Sequence, residues 1–389
     1  MKVARADHHV DGPLVLKVFV LCDQSFSIEP YREQVSNFRL RLQSCANCCP
    51  FNRVYVANSR CAILSRPYYK DTLYDRMSTR PFLIDPEKRW IGFQLLKALK
   101  QCKEADVCHG DLKSQNVLIS SSNWVQITDF ASFKPAFLAM DNPSNFTFFF
   151  DTSRRRSCYL APERFQRTSE VSRLPDEYAG FTVGLTHEMD VYSMACVIIE
   201  LFTDGHCPFY FGEQLIRYLL CDDKDPTVAE YVTTALQGVP EGLHSLLTIM
   251  LTKDPQDREK WLEEFDKLVG VFFPQIFEDF IYGYFKSFRA KPPALKNLTT
   301  LSDFEQPSGG KILSMEADDT ISKISHDFAL IWEKINNMLQ EYPDMVVLFV
   351  GSSSVAQKVF RNFEYTCNNG AYFTIFDVYS YRSLRPSKM

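Results

Sequence analysis

The sequence predicts an α+β fold with two lobes, a strand-rich lobe followed by a mainly helical one. An apolar, β-branched strand pattern at 14–20 precedes helical spacing of apolar residues at 31–42. Two short strands at 117–120 and 124–128 are separated by turn residues and would pair as a hairpin. Apolar and amphipathic helices then follow one another to about residue 270. This order of elements indicates the fold class.

The amino-terminal elements follow from periodicity. The first strand is an apolar run that contains one lysine, Lys17. Pro30 stands where helices often begin, and apolar residues then recur at helical spacing up to Leu42. A further short strand is predicted at 61–64. We therefore expect the lysine to lie in a sheet that packs against one helix.

The helical part begins at Pro86 with a helix that has an apolar stripe and a basic far face. A helix at 188–204 is apolar nearly all round, which predicts burial at the centre of the helical lobe, and Gly205 provides its stop signal. Amphipathic segments follow at 227–237, 243–252 and 259–270.

These elements divide the chain into four predicted parts. An incomplete strand-rich lobe with one helix covers 1–85, and a helical lobe covers 86–285. Proline, glycine and polar residues predict a linker over 286–315. A continuous helical stripe within 316–389 predicts a mainly helical carboxy-terminal extension.

Composition restricts the class of protein. The net charge of -5 argues against a general nucleic-acid-binding surface. No apolar run reaches the roughly 20 residues that span a bilayer. The 12 cysteines form no dense framework, which indicates reduced thiols. We expect a cytoplasmic protein that binds no nucleic acid and contacts membranes only peripherally.

The octet HGDLKSQN at 109–116 carries the strongest chemical signal. A second aspartate, Asp129, follows after a short apolar strand, and Ala-Pro-Glu stands further on at 161–163. This spacing is typical of protein kinases, because it brings together a proton acceptor, a phosphate-facing lysine and two candidate metal ligands. The motifs therefore predict phosphoryl-transfer chemistry on a protein-kinase-like fold.

Phosphoryl transfer depends mostly on positioning and charge neutralisation, so few side chains are required. Asp111 would accept or orient the proton of the attacking hydroxyl, and Lys113 would steady the transferred phosphoryl group. Asn116 and Asp129 would hold Mg²⁺ between the nucleotide phosphates. Lys17 would pair with the α and β phosphates.

Other residues are predicted to have architectural roles. Glu33 is the nearest candidate partner for Lys17 on the following helix, although an exposed helix glutamate is the favoured interpretation. Glu163 and Arg258 are predicted to form a buried ion pair that closes the helical lobe. Asp190 is predicted to anchor the backbone of the catalytic loop, which is the octet at 109–116.

Longer strings in the sequence resemble the kinase-like domain of the vacuolar protein sorting 15 family, the regulatory subunit of class III phosphatidylinositol 3-kinase. The resemblance covers about residues 14 to 280, and DFASFKP and DTSRRR are more specific to this family than general kinase motifs. The strings are LYDRMSTRPFL, EKRWIGFQLL, HGDLKSQNVLIS, ITDFASFKPAFL, FFFDTSRRRSCYLAPERF and DVYSMACVIIELFTDG.

The resemblance implies a serine/threonine-kinase-like fold that binds ATP or GTP with Mg²⁺ and scaffolds a lipid kinase. It implies as partners the class III phosphatidylinositol 3-kinase catalytic subunit and autophagy and endosomal adaptor subunits. It also implies HEAT repeats after the kinase domain, and a place on late endosomal and autophagic membranes in vacuolar sorting and autophagy.

Three departures from the general kinase pattern bear on activity. Gly110 stands where the catalytic loop normally carries arginine. Ala131 stands where the metal-binding triplet, residues 129–131 here, normally ends in glycine. Gly12 is the sole glycine before Lys17, so no glycine-rich loop precedes it. We expect a piece of a longer protein that transfers phosphate to protein slowly or not at all.

Three functions remain open at this stage. The first is an active serine/threonine protein kinase, and the second is a catalytically weak or inactive pseudokinase scaffold. The third, a small-molecule phosphotransferase, is disfavoured by the Ala-Pro-Glu triplet at 161–163 and the long apolar helix after it. We also expect the phenylalanines at 146–150 to pack as a fixed plug or partner surface.

Overall fold

A computed structural model of the protein describes most of the chain up to residue 290 and two short segments beyond it. The described residues are 2–9, 12–20, 29–58, 61–120, 123–130, 134–140, 143–151, 154–166, 184–222, 225–290, 347–351 and 373–377. The chain divides into two compact units. The first comprises Met1–Leu83, Ile91–Ser120 and Trp124–Leu268, and the second comprises Ile84–Trp90, Ser121–Asn123 and Val269–Met389.

The described strands are short after the first two hairpins. In chain order they are β1 Lys2–His8, β2 Gly12–Val20, β3 Cys48–Cys49, β4 Arg53–Asn58, β5 Cys61–Pro67, β6 Asp71–Thr72, β7 Val117–Ile119, β8 Val125–Thr128, β9 Leu138–Ala139, β10 Phe165–Gln166, β11 Val347–Gly351 and β12 Phe373–Asp377.

The described α-helices follow the predicted order closely. They are α1 Glu29–Arg41, α2 Leu73–Ser78, α3 Asp85–Glu104, α4 Pro143–Phe149, α5 His187–Phe202, α6 Glu213–Leu220, α7 Pro226–Ala235, α8 His244–Met250, α9 Pro255–Arg258, α10 Trp261–Leu268 and α11 Tyr282–Ala290. Within the described residues, no helix is both long and apolar enough to cross a membrane. The α+β fold class predicted from the sequence is confirmed.

The first sheet of the first unit has the strand order β1-β2-β5-β4, with antiparallel neighbours. Val35 on α1 packs with Phe51 and Leu64, and Phe19 and Val54 pack against this cluster. Burial of these side chains explains why α1, which has few apolar residues, is held on the sheet. The sheet thereby positions the strand that carries Lys17.

Strand β1 was not predicted from the sequence. Its segment, KVARADH, is mostly exposed and shows no apolar alternation. It pairs along its full length with β2, from Lys2 opposite Val18 to His8 opposite Gly12. The backbone hydrogen bonds of this hairpin, rather than buried side chains, define the strand.

The second sheet has the order β3-β8-β7-β6 and carries the catalytic-loop residues at its ends. The predicted hairpin is present, with Val117 opposite Ile127 and Ile119 opposite Val125. The side chains of Val117, Val125 and Ile127 are fully buried. The polar residues before β7 and after β8 therefore emerge from a rigid, buried pair of strands.

The helical part of the first unit is organised around α5, where every residue from Met189 to Phe202 is buried. This agrees with the all-round apolar pattern of the sequence. Phe146 in α4 and Phe150 just after it are buried, and Phe146 stacks on Phe211 with ring centroids 4.4 Å apart, whereas Phe148 is 74% exposed. The predicted aromatic plug therefore packs in part and exposes one ring.

The second unit, taken by itself, contains a π-helix at Phe277–Ile281 that leads into α11. The rings of Trp90 and Phe277 are 5.0 Å apart. Residues 286–290, predicted as the start of a linker, are helical, and Phe285 before them contacts Trp90 with centroids 6.5 Å apart.

The predicted helical extension is largely outside the described residues. The apolar stripe within 316–346 and the rest of the predicted linker lie there too. The two described segments of the extension, β11 and β12, are parallel strands. Their β-branched and aromatic residues, in VLFVG and FTIFD, favour strand geometry over the predicted helix.

Candidate active site

The catalytic loop is anchored to the buried helix α5 by Asp190. One carboxylate oxygen of Asp190 accepts a hydrogen bond from the backbone N–H of His109 at 2.5 Å, and the other accepts from that of Gly110 at 2.8 Å. Both bonds are buried and charge-assisted, so they are among the stronger types. Burial raises the pKa of Asp190, while His109 and the two N–H groups oppose this shift.

His109 joins the loop to strand β8. Its Nδ1 accepts from the backbone N–H of Asp111 at 3.2 Å, so Nε2 is the donor to the carbonyl of Thr128 at 2.8 Å. Burial lowers the pKa of His109, which keeps the ring neutral. The ring also packs on Phe130, with centroids 4.6 Å apart. These contacts give His109 a structural role.

Gly110 has a backbone conformation that explains the residue type. Its φ is +74°, in the left-handed region that favours glycine. A Cβ at this position would lie 2.6 Å from Cδ1 of Leu185. The glycine therefore not only removes the usual arginine but also permits a close approach of the loop to Leu185.

Asp111 is the centre of the loop's polar contacts. The side-chain Nδ2 of Asn116 donates to the carbonyl of Asp111 at 2.8 Å and to its Oδ2 at 3.0 Å. Nζ of Lys113 lies 3.1 Å from the same Oδ2. Lys134, which the sequence did not indicate, lies closer still, with Nζ at 2.5 Å from Oδ2.

These cations determine the charge state of Asp111. Burial would raise the pKa of this carboxyl, but the charges of Lys134 and Lys113 outweigh burial and lower it to about 2. Burial lowers the pKa of Lys134 to about 8, helped by the charge of Lys113 and opposed by that of Asp111. Asp111 is therefore ionised and a weak base.

Asp129 lies between two cations from the first sheet. Lys17 on β2 forms an ion pair with its Oδ2, and Nε of Arg66 on β5 lies 3.6 Å from its Oδ1. In the pairing of β2 with β5, Lys17 is opposite Leu64, and Arg66 comes two residues after Leu64. Side chains two apart share a face of the sheet, so both cations point the same way.

The candidate pairing of Lys17 with Glu33 is not formed. Glu33 lies on α1 and is exposed, and among the described ion pairs Lys17 joins Asp129 instead. Water screens the charge of a carboxylate on the exposed face of a helix, so its attraction to a buried cation contributes little free energy. The interpretation of Glu33 as an exposed helix glutamate agrees with this position.

The predicted architectural ion pair between Glu163 and Arg258 has bidentate geometry. The two guanidinium nitrogens lie 2.7 and 2.9 Å from the carboxylate oxygens. Arg258 has no exposed surface and also donates to the carbonyls of Glu188, Thr252 and Lys253. Burial of this arginine is thus matched by a full set of hydrogen bonds.

A second buried arginine, Arg164, was missed in the sequence. Its guanidinium donates to the carbonyls of Gly110 at 2.7 Å, Ala136 at 2.8 Å and Pro135 at 2.9 Å. It follows directly after the Ala-Pro-Glu triplet, which was the one local signal available. Arg164 ties the catalytic loop to the segment after Asp129.

The oxygen ligands at the site fit Mg²⁺, but Lys17 and Arg66 compete with the ion for the carboxylate of Asp129. Oδ1 of Asp129 is buried and accepts no hydrogen bond from the described residues, so its lone pairs are available to a cation. It and the amide oxygen of Asn116 are the hard oxygen ligands that Mg²⁺ prefers. No group of three or more His, Cys, Asp or Glu in the described ranges could hold a metal. Phosphate oxygens would have to complete the shell.

Comparison with known proteins agrees with this geometry. A family model, the protein kinase domain, matches residues 31–266. The chain is 36% identical over 325 residues to the serine/threonine-protein kinase VPS15 of Saccharomyces cerevisiae, which is 82% of this chain and 21% of that protein. It is 38% identical to VPS15 of Schizosaccharomyces pombe over 276 residues, 70% of this chain and 15% of that protein.

A plant relative gives the same result. The serine/threonine-protein kinase VPS15 of Arabidopsis thaliana is 35% identical over 302 residues, 77% of this chain and 19% of that protein. The chain thus spans 21% or less of the length of these three relatives. The predicted kinase-like fold and the family resemblance are confirmed, and the chain belongs to the protein kinase domain family as a relative of the VPS15 serine/threonine-protein kinases.

Proposed function

We propose that this chain binds ATP or GTP with Mg²⁺ and acts as a serine/threonine protein kinase-like domain of low catalytic power. The main support is the convergence of side chains that are far apart in the sequence. Lys17 on β2 pairs with Asp129 after β8. In the catalytic loop, Lys113 and Asn116 contact Asp111. Protein kinases use these residue types to hold a nucleoside triphosphate for transfer.

Each of these residues has a role in the proposed function. Lys17 holds the α and β phosphates, and Lys113 faces the transferred phosphoryl group. Asp111 orients the attacking hydroxyl. Asn116 and Asp129 would hold Mg²⁺, which would neutralise charge on the phosphates.

Low catalytic power is supported by the surroundings of Asp111. Its Oδ2 is already bonded to Lys113, Lys134 and Asn116. A hydroxyl must displace at least one of these groups before it can donate to this oxygen. With a pKa of about 2, Asp111 also has little tendency to take the proton. A pseudokinase scaffold is therefore the second candidate function.

We also propose that the chain serves as part of the regulatory subunit of a class III phosphatidylinositol 3-kinase complex. Its partners would be the catalytic subunit of that lipid kinase and the autophagy and endosomal adaptor subunits. It would associate peripherally with late endosomal and autophagic membranes from the cytoplasm and act in vacuolar sorting. The family-specific strings DFASFKP and DTSRRR, together with the VPS15 relatives, support this role.

A nucleotide-binding measurement tests the site. Calorimetric titration of ATP with Mg²⁺ into the parent and into Lys17→Ala should show a loss of about tenfold or more in affinity for the variant. Lys260→Gln serves as the control, because Lys260 is an exposed lysine that pairs with Asp257 on the surface. Equal affinity of the parent and Lys17→Ala would reject the site.

A phosphotransfer assay separates the two candidate functions. Incubation with labelled ATP and a general protein substrate should give slow transfer that Asp111→Ala abolishes. Fast transfer that depends on Asp111 would indicate an efficient kinase, and transfer that is unchanged in Asp111→Ala would exclude this catalytic loop. Co-purification with a class III phosphatidylinositol 3-kinase catalytic subunit tests the proposed complex.

A further inference from the structure

We propose that Arg66 and Lys134 supply the counter-charge that a divalent ion usually provides, so that the nucleotide phosphates bind here without Mg²⁺. This inference rests on the proposed nucleotide-binding function and specifies how the site holds its ligand. The ligand class is a nucleoside di- or triphosphate as the free anion. Arg66 lies outside the motifs found in the sequence, and Lys134 lies in the string DFASFKP but was given no role there.

The first observation is the unmet hydrogen-bonding capacity of Arg66. Its side chain is 10% exposed, and its Nη1 donates to the carbonyl of Pro67 at 3.1 Å. Its Nε is buried and donates to no described residue, and it lies 3.6 Å from Oδ1 of Asp129. At this distance the carboxylate of Asp129 gives the buried N–H no full hydrogen bond, which is costly. An anionic oxygen placed beside Asp129 would satisfy it.

The second observation is the crowding of ammonium groups at Asp111. Nζ of Lys134 lies 2.5 Å and Nζ of Lys113 lies 3.1 Å from the same carboxylate oxygen. The side chain of Lys134 is 12% exposed and its Nζ lies 4.8 Å from the ring centroid of Phe150. A second anion beside these two lysines would stabilise the charge of Lys134, whose pKa burial lowers.

The third observation is the balance of charge. Asp129 is paired with two cations, Lys17 and Arg66, and Asp111 is paired with two others, Lys113 and Lys134. Each carboxylate neutralises one of its two partners. The site therefore has a surplus of two positive charges, which equals the charge that one divalent ion would bring.

The arrangement also makes Mg²⁺ a competitor rather than a requirement. A metal on Asp129 must share its carboxylate with Lys17 and Arg66, and the like charges repel. Guanidinium and ammonium groups are both common phosphate ligands, and guanidinium can bind two oxygens at once. A polyphosphate can thus replace the carboxylates as the partner of these cations.

The test compares nucleotide affinity with and without the divalent ion. ATP is titrated calorimetrically into the parent, Arg66→Gln, Arg66→Lys and Lys134→Gln, once with excess Mg²⁺ and once with excess chelator. In the parent the two affinities should differ by less than about threefold. In Arg66→Gln and Lys134→Gln the affinity in chelator should fall by about tenfold, whereas the affinity with Mg²⁺ should fall much less.

Arg66→Lys keeps the charge but loses the guanidinium N–H groups, so its affinity in chelator should lie between those of the parent and Arg66→Gln. Lys260→Gln, a change at an exposed surface lysine, should bind as the parent in both buffers. Circular dichroism tests whether each variant is folded. If Arg66→Gln does not fold, the results for Arg66→Lys and Lys134→Gln decide the outcome.

The outcomes separate this inference from the proposed function. If the parent binds ATP with Mg²⁺ but loses about thirtyfold or more in chelator, the inference is wrong and the nucleotide site stands. If neither variant weakens binding in chelator, the inference is also wrong. If the parent binds no nucleotide in either buffer, both fail.

Discussion

Lys134 is the residue whose protonation most directly changes the charge of the site. It is packed against Phe150, and the ionisable groups that act on it are Asp111, Lys113 and Arg164. Burial lowers its pKa to about 8, so the side chain is an ammonium below that pH and becomes neutral above it. Its partner Asp111 stays ionised throughout this range.

The metal-free affinity for ATP should therefore weaken as the pH rises through about 8. We expect a loss of about threefold or more between about pH 7 and pH 9, because one cation beside the phosphates is lost. Calorimetric titration in chelator at several pH values measures it. The profile of Lys134→Gln should be nearly flat, and parallel profiles for the parent and this variant would contradict the assignment.

At the scale of elements, the catalytic loop is the segment most tightly constrained by its neighbours. Asp190 from α5 binds two of its N–H groups, and Arg164 binds the carbonyl of Gly110. Gly110 itself sits against Leu185 with a left-handed backbone. A side chain at this glycine would thus disturb both the loop and its contact.

Gly110→Ala should lower the free energy of unfolding by about 2 kcal/mol, since it combines the cost of the positive φ with an overlap with Leu185. Gly205→Ala is a matched control, because Gly205 has a φ of +90° and open space around it. The control should cost about 1 kcal/mol. Urea unfolding measures both, and equal losses would mean that Leu185 moves away freely.

The elements were predictable where the signal was local. The hairpin of β7 and β8 and the buried helix α5 each follow from a single stretch of periodic residues. Strand β1 was not predictable in this way, because its pairing with β2 defines it and its own side chains are mostly exposed. The strands β11 and β12 were missed because no clear period marks their surroundings.

The same distinction holds for the site. The candidate residues in the octet were recognisable because they lie in one short loop, where their spacing in the sequence is fixed. The contact of Arg66 with Asp129 depends on the register between β2 and β5, and that of Lys134 with Asp111 depends on how the segment after Asp129 folds back. Such long-range contacts leave no periodic trace in the sequence.

At the scale of the whole molecule, stability is concentrated at buried polar contacts as well as in the apolar core. Arg258 joins three parts of the first unit, because it binds the carboxylate of Glu163, the carbonyl of Glu188 and two carbonyls just before α9. Removal of its side chain would leave several buried acceptors unpaired. The helical part of this unit should therefore depend on this single residue.

Arg258→Met should lower the free energy of unfolding by about 3 to 5 kcal/mol, as expected for a broken buried ion pair. Arg41→Met provides the comparison. Arg41 and Asp106 form an exposed ion pair at 2.9 Å, whose loss should cost less than about 1 kcal/mol. Chemical denaturation of both variants gives the difference, and similar values for the two would show that burial of Arg258 contributes little.

The anchoring of the loop on α5 has a further consequence for motion. The amide hydrogens of His109 and Gly110 are bonded to a carboxylate of the most deeply buried helix. They can exchange with solvent deuterium only when that helix separates from the loop, which requires opening of the core. Slow amide exchange should therefore extend to the active loop, whereas mostly exposed strand β1 can fray without disturbing it.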